Sequence, residues 1–432
     1  MLFSKEPLPQ SLNICLVGQK VKILSRKTDH GFVWPIARGL TLAGHKVTVI
    51  STKSPVGKPE LTRDGVQAFY LLEGIRNTTN MDFKKIAYRK ISELHSKNKF
   101  HIIHSLDDSA LPIAQNKKSL GLHVAFDVEA THLSRLFSIL GRRRETLRSQ
   151  FSNLTSLSYE FLVNYFSSDR QLLKNSDGIF VTNPQQRIIL ERYFLYPDYH
   201  MYSVPYGIDV GDLSPKDQSQ DLKTKLGLSL SSQIAVTISD MTDKDEMTNI
   251  LRAFEKVAIK KPNAHLIMIG YGPAFKKIEF EMLSLALGSR VTMTGALSTD
   301  EVFDYILLGD VFIDLSSKST GFEPTLIEAM AQNKIIIGSE VSPMVNVVEN
   351  GVDGFLLRPA DTESLTQLIL SIFNGAIPRQ EIGERARAKV INMFDAKRMV
   401  EGMMDAYHQI LVKSGKYRRP ATIKKTSLIS TA

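Results

Sequence analysis

The stretch Pro324-Thr325-Leu326-Ile327-Glu328 holds residue types whose spacing suits phosphate and sugar chemistry. Proline fits the first turn of a helix, where its missing N–H costs nothing. The backbone N–H groups of Thr325 and Leu326 then point out of a helix end that carries about half a positive charge. Such an end suits a diphosphate. Glu328 follows one turn in, and a carboxylate accepts hydrogen bonds from a pair of hydroxyls. The plainer reading of Glu328 is an acid that complements the helix dipole. Nearer the N-terminus, Gly31 is a candidate for close backbone approach to a ligand. Asp29 and His30 precede it. A loop histidine is ordinarily solvated, and catalysis by His30 is the sharper alternative. Trp34, the only tryptophan, reads first as a core anchor and second as a platform for a sugar. Asp107-Asp108 follows a predicted strand; such pairs are more often loop acids than metal ligands. There is no zinc spacing of His and Cys, no Gly-x-Ser-x-Gly elbow and no Walker lysine loop.

These residues need elements to hold them. Short apolar runs alternate with amphipathic helical stretches almost from end to end. That alternation predicts mostly parallel sheets covered by helices. Strands are predicted at 13–18, 46–51, 67–71, 102–105, 123–127 and 178–182. A second series follows at 234–238, 265–269, 290–294, 311–315, 335–338 and 354–357. Helices are predicted at 32–43, 248–260 and 325–332, among others. The fold class is α/β, with two Rossmann-like doubly wound parallel-sheet lobes and a cleft between them. Ligands of such sheets bind at the carboxyl ends of strands. Gly270-Tyr271-Gly272 and Gly295-Ala296-Leu297 fall at such ends. Residues 204–213 (VPYGIDVGDL) read as the hinge. Residues 131–175 read as a helical insert with Arg142, Arg143, Arg144 and Arg148 clustered.

Composition sets outer bounds. A chain of 432 residues, 43% apolar and 23% charged, is ordinary for a globular protein with two sizeable cores. No run of 18 or more apolar residues occurs, so no spanning helix is expected. The first ten residues lack the apolar core of a secretory signal. Cys15 is the sole cysteine, so no disulfide can form within the chain, and a reducing compartment is expected. The expected location is cytoplasmic, with peripheral contact at the inner face of the membrane as an addition. Of the net charge of +9, six cations without an acid lie in residues 413–432. That stretch reads as a solvated, disordered tail, with contact to anionic lipid as the alternative. The remaining body is near neutral, which argues against a nucleic-acid partner.

The segment 316–361, SSKSTGFEPTLIEAMAQNKIIIGSEVSPMVNVVENGVDGFLLRPAD, resembles the donor-binding segment of family 4 retaining glycosyltransferases. These have two Rossmann-like lobes in the GT-B arrangement. Val204-Pro205-Tyr206-Gly207-Ile208-Asp209 is similar to that family's hinge motif. Ile269-Gly270-Tyr271-Gly272-Pro273 is similar to its Gly-x-Gly-Pro loop. Gly39-Leu40 through Val49-Ile50 is similar to its first helix-to-strand turn. The resemblance covers roughly residues 12 to 410 and is specific in the C-terminal half.

It implies hexosyl transfer from a UDP- or GDP-linked sugar to a glycan or lipid-linked acceptor, with retention and without a metal or cofactor. Glu328 would hold the ribose. Gly321, Phe322, Pro324, Thr325 and Leu326 would hold the diphosphate end. Gly270, Tyr271, Gly272, Gly295, Ala296 and Leu297 would form the base-side loops, and Gly31 would close from the opposite lobe. Glu323, Lys244 and Asp29 are the catalytic candidates. His30, Glu129, His132 and Arg135 are the acceptor-side candidates. The implied division is 1–205 for the acceptor lobe and 206–387 for the donor lobe. A C-terminal helix, 388–412, would pack back on the first lobe.

Three departures accompany the likeness. Thr320 stands where the first acid of the family's paired-glutamate motif belongs. Asp240 and Asp245 stand where an arginine and a lysine usually neutralise the leaving diphosphate, with Lys244 one residue away. Asn346 replaces an acid of a later loop, and Glu129 occupies the neighbourhood of a frequent histidine. They motivate an alternative: a nucleotide- or glycan-binding protein of the same fold with lost or altered catalysis.

Overall fold

The computed structural model describes residues 6–19, 33–54, 56–74, 80–128, 158, 168–182, 184–213, 218–242, 244–316, 324–341, 344–358 and 360–418. The first series runs β1 (Glu6–Pro7), β2 (Asn13–Val17), α1 (Val33–Leu42), β3 (Lys46–Ser51), β4 (Glu60–Arg63), β5 (Val66–Tyr70), α2 (Asn80–Lys97), β6 (Ile102–Ser105), α3 (Leu111–Leu120), β7 (His123–Asp127), α4 (Ser168–Asn175), β8 (Gly178–Val181), α5 (Pro184–Phe194) and β9 (Met201–Ser203). The second runs α6 (Gln220–Lys225), β10 (Gln233–Ile238), α7 (Lys244–Lys260), β11 (Ala264–Ile269), α8 (Phe275–Ser284), β12 (Val291–Gly295), α9 (Thr299–Leu308), β13 (Val311–Asp314), α10 (Pro324–Ala331), β14 (Ile335–Ser339), β15 (Phe355–Leu357), α11 (Thr362–Phe373), α12 (Arg379–Met393), α13 (Ala396–Lys413) and β16 (Tyr417–Arg418).

The predicted strands form within a residue or two of their expected ends. They do so because β2, β6, β11 and β14 are buried along their whole length. Such runs suit a parallel sheet covered on both faces. Strand order in the first sheet is β4-β5-β3-β2-β6-β7-β8-β9, and in the second β12-β11-β10-β13-β14-β15. All neighbours are parallel except β4 and β5. The winding reverses at β2 in one sheet and at β10 in the other. A crevice opens at the carboxyl ends of strands where the order reverses. Topology alone therefore points to the loops after β2, β6, β10 and β13.

Some elements were not predicted. The hairpin of β4 and β5 turns on Asp64 and Gly65, with φ of 47° and 80°. A two-residue turn with both φ positive matches strand twist, and Asp-Gly is its usual sequence. Helix α7 begins at Lys244, a full turn before the predicted start. The basic stretch beginning at residue 413 opens in ordered structure. Lys413 ends α13, and Tyr417–Arg418 pairs in parallel with Glu6–Pro7.

The chain passes between the lobes twice. Residues 204–213 lead out, with Val204, Tyr206, Ile208, Val210 and Leu213 buried. Residues 394–396 lead back into α13, which packs on α1. The two passages pair: Ile208 N donates to Phe394 O at 2.8 Å, and Ala396 N to Ile208 O at 2.8 Å. Gly207 allows this approach, since a Cβ there would lie 2.7 Å from the Asp395 backbone. One apolar cluster runs from the first sheet through these passages into the second lobe. Among the described residues, no helix is long and apolar enough to cross a membrane.

Candidate functional site

Helix α10 begins at Pro324, just after the β13 exit. Thr325, Leu326 and Glu328 are buried along it. Thr325 and Glu328 lie three residues apart and so share one face. Glu328 also lines a cavity of about 380 Å³. Its other walls run along α1 from Trp34 to Ala43, past Asp209 of the outgoing passage, and onto Lys397, Val400 and Glu401 at the start of α13. Glu328 therefore faces a space bounded by both lobes. At the β13 exit, buried Asp314 accepts a hydrogen bond from Ser316 N at 3.1 Å, which turns the chain off the sheet. Gly321, Phe322 and Glu323 lie outside the described residues, as does Thr320.

Three loops form the neighbouring rim. Gly270 has φ 128°, and a Cβ there would lie 1.8 Å from the Ser239 carbonyl oxygen. A Cβ on Gly272 would lie 1.9 Å from the Asp240 carbonyl oxygen. Both glycines are required for the loops after β10 and β11 to touch. The rim is then knitted by backbone bonds. Gly270 N donates to Gly295 O at 3.0 Å, Ser239 N to Ile269 O at 3.0 Å and Ala274 N to Met241 O at 2.9 Å. Tyr271 stands exposed, with its ring 4.9 Å from that of Phe275. Ala296 is exposed and Leu297 leans on the core.

Asp240 lies two residues past the end of β10, and its Oδ1 accepts from Thr242 N at 3.0 Å and Thr242 Oγ1 at 2.8 Å. Lys244 opens α7, and its Nζ lies 3.9 Å from Glu281 Oε2 on α8. Arg252 Nη2 lies 3.1 Å from the other oxygen of Glu281. Glu281 thus gathers Lys244 and Arg252 along the seam between α7 and α8. Asp245 is exposed beside Lys244.

In the first lobe, Asp107 accepts from Gln19 N at 2.7 Å and from Ser109 N at 2.8 Å. Asp108 pairs with Lys84 and Ser168. These acids tie loops together, and among the described residues no group of three or more His, Cys, Asp or Glu is placed to hold a metal ion. Trp34 is buried under the Arg63 guanidinium, 4.8 Å from its ring. Asp29, His30, Gly31, Glu129, His132 and Arg135 lie outside the described residues.

Three contacts escaped the sequence analysis. Arg38 Nη1 donates to Asp209 Oδ2 at 2.7 Å, fastening α1 to the outgoing passage. Below the cleft, His104 Nδ1 and the Tyr407 hydroxyl share a hydrogen bond at 2.6 Å. Asp127 accepts from the hydroxyl of Tyr206. Burial lowers the His104 pKa to about 3. It raises that of Tyr407, and the nearby Asp127 carboxylate raises it further. His104 and Tyr407 are 303 residues apart, a separation no local pattern spans.

Residues 218–389 match the family model described as glycosyl transferases group 1. The second lobe carries a group 1 glycosyltransferase domain. Over 196 residues the chain is 28% identical to N-acetyl-alpha-D-glucosaminyl L-malate synthase of Bacillus anthracis, covering 45% of this chain and 50% of that one. The chain spans about half the length of the curated relatives it matches. Among solved structures it is similar to a sucrose-phosphate synthase from Thermosynechococcus elongatus. The TM-score is 0.71 at 18% identity, over 93% of this chain and all (100%) of that one. It is also similar to Anabaena HepE, solved in complex with UDP and glucose. There the TM-score is 0.67 at 14% identity, over 92% of this chain and 99% of that one. At such identities the likeness establishes the fold, which is the two-lobed GT-B architecture.

Proposed function

We propose that this chain transfers a hexose from a nucleoside-diphosphate sugar to a glycan or lipid-linked acceptor, with retention at the anomeric carbon. The observation that carries the reading is Glu328. It is a buried carboxylate one turn inside a helix that opens at the switch point of the second sheet and faces a cavity shared by both lobes. In this reading Glu328 holds the ribose hydroxyls. The N–H groups of Thr325 and Leu326 hold the diphosphate, with Gly321, Phe322 and Pro324 shaping that end. The rim from Gly270 to Gly272 and from Gly295 to Leu297 takes the base through backbone groups.

Residues 1–205 supply the acceptor side, with Asp29, His30, Glu129, His132 and Arg135 as its contacts, and Gly31 closes over the donor from this lobe. Glu323 meets the donor sugar. Residues 206–387 supply the donor side. Lys244 reaches the diphosphate by leaving Glu281, an exchange a 3.9 Å contact permits at small cost. Closure of the lobes excludes water and completes the site. The group 1 domain match supports the reaction class. The Anabaena structure with UDP and glucose supports a uridine nucleotide as the first donor to try.

The test is transfer from a panel of UDP- and GDP-sugars to glycan and lipid-linked acceptors, with product linkage read by NMR. An α-linked product from an α-linked donor is the expected result. Nucleotide binding without transfer to any acceptor would mark a binding protein, which Asp240 and Asp245 beside the diphosphate would explain. Absence of nucleotide binding would end the reading.

A further inference from the structure

The strands β2, β3, β6, β7, β8 and β9 are parallel, so they all begin at one edge of the first sheet. That edge lies opposite the carboxyl ends that face the cleft. Each segment that ends a helix before one of these strands is exposed there. Strand β5 is parallel to β3 and begins at the same edge. The edge comprises residues 6–12, 42–46, 63–65, 95–101, 117–122, 174–177, 195–200 and 413–418. These segments hold ten lysine and arginine residues against four acids, Glu6, Asp64, Asp177 and Asp198. Three of the acids are engaged, Asp64 with Arg38 at 3.5 Å, Asp177 with Lys117 at 2.6 Å and Asp198 with Arg187. The C-terminal end belongs to the same edge. The charge of Lys416 is felt at both His101 and His123, and Lys413 sits over the Tyr202 ring at 5.1 Å.

Cations in the last turn of a helix complement its dipole, and that accounts for Lys97, Lys117, Lys118 and Lys174 one by one. It does not account for Lys46, Lys99 or Lys416, which lie outside helices. Nor does it account for two large apolar side chains on the same edge. Leu195 is 84% exposed and Tyr199 66%. Leu195 sits at φ 50° at the turn after α5, a costly conformation for a leucine. A nucleic acid would use the cations and leave Leu195 without purpose. A lipid surface uses both. Anionic headgroups attract lysines, and leucine and tyrosine side chains enter the interface.

From this arrangement we infer that the N-terminal edge of the first sheet docks on an anionic lipid bilayer, with Leu195 and Tyr199 entering the headgroup layer. The molecule then sits with its cleft directed away from the lipid surface, an orientation that fits the glycan acceptor of the proposed reaction and not the lipid-linked one.

The test is co-sedimentation of the full chain with vesicles of phosphatidylcholine alone and of phosphatidylcholine mixed with phosphatidylglycerol. No donor or acceptor is present, so failure here leaves the transferase reading intact. The chain should bind the anionic vesicles and not the neutral ones, and added salt should release it. A Lys46→Glu/Lys99→Glu/Lys416→Glu variant should bind at least tenfold more weakly, since each cation near such a surface contributes about fivefold. Leu195→Ser/Tyr199→Ser, which leaves the charge intact, should lose severalfold, and its melting temperature serves as the check on folding. Equal binding to both vesicle types would overturn the inference. So would charge-reversed protein that binds like the parent, or tighter binding to duplex DNA than to anionic vesicles.

Discussion

A carboxylate near the start of a helix gains from the helix end alone, so the position of Glu328, one turn in, does not by itself make it a ligand. Its burial beside a cavity shared with α1 is what the proposed ribose contact rests on. Nucleotide at 100 times its dissociation constant should stabilise the parent by about 2.7 kcal/mol. Glu328→Ala should remove most of that shift in a thermal denaturation series while the ligand-free protein still melts cooperatively. A full shift in the variant would show that the nucleotide sits elsewhere. The bond between His104 and Tyr407 makes a different prediction. His104 has its pKa lowered to about 3 by burial, against about 6.5 in an unfolded chain. Between those values the unfolded chain binds a proton that the folded chain excludes. Stability therefore falls as pH drops from about 6.5 toward 3, by up to about 1.4 kcal/mol per pH unit for this one group. His265, lowered to about 4, adds to the slope with the same sign. Urea midpoints at pH 7 and pH 5 should differ less for His104→Gln than for the parent. Glu328 was legible because its helix start is written locally. His104 was not, since its partner arrives from the far end of the chain.

Most strands were legible for a simple reason: a strand buried on both faces has to be apolar throughout, as β11 is. The β4–β5 hairpin escaped because β4 is half exposed and short, although Asp64-Gly65 carries the turn signal. The contact between the loops after β10 and β11 was legible only as a Gly-x-Gly, a pattern that tight turns use everywhere. The physical requirement appears once Ser239 is seen 1.8 Å from a virtual Cβ on Gly270. Gly270→Ala should cost about 3 kcal/mol or more, because the loop must move and the φ of 128° is foreign to alanine. Ser298→Ala, which removes a capping box at the start of α9 on the same rim, should cost only about 1 kcal/mol. Comparable losses in a guanidinium titration of the two variants would count against the required contact.

Net charge is a poor guide to a surface when the charges are sorted. The body of the chain sums to nearly zero away from its tail, yet one edge of the first sheet gathers six of its lysines beside the start of that tail. Sequence order scatters the lysines of this edge from Lys46 to Lys416, and only the parallel topology collects them. The two passages between lobes show the same effect. Residues 204–213 were legible as a boundary from their Gly and Pro, but their pairing with 394–396 requires both ends of the fold. Gly207→Val should strike that pairing, lower the melting temperature and broaden the small-angle scattering profile as the lobes splay. An unaltered radius of gyration would mean that the side chains around the passages suffice.

The paired passages also settle which parts of the molecule travel together. Helix α13 and the junction of Glu6–Pro7 with Tyr417–Arg418 fasten both ends of the described chain to the first lobe. The second lobe is thereby an insertion, entered at Ile208 and left at Ala396. Fluorophores attached at the two ends would ride on one rigid piece and stay silent through any opening or shutting. A reporter of that motion must carry one dye on the inserted lobe. On the function proposed above, exchanging the segment between those two residues for that of another group 1 domain should carry over its donor preference while the first lobe keeps the acceptor.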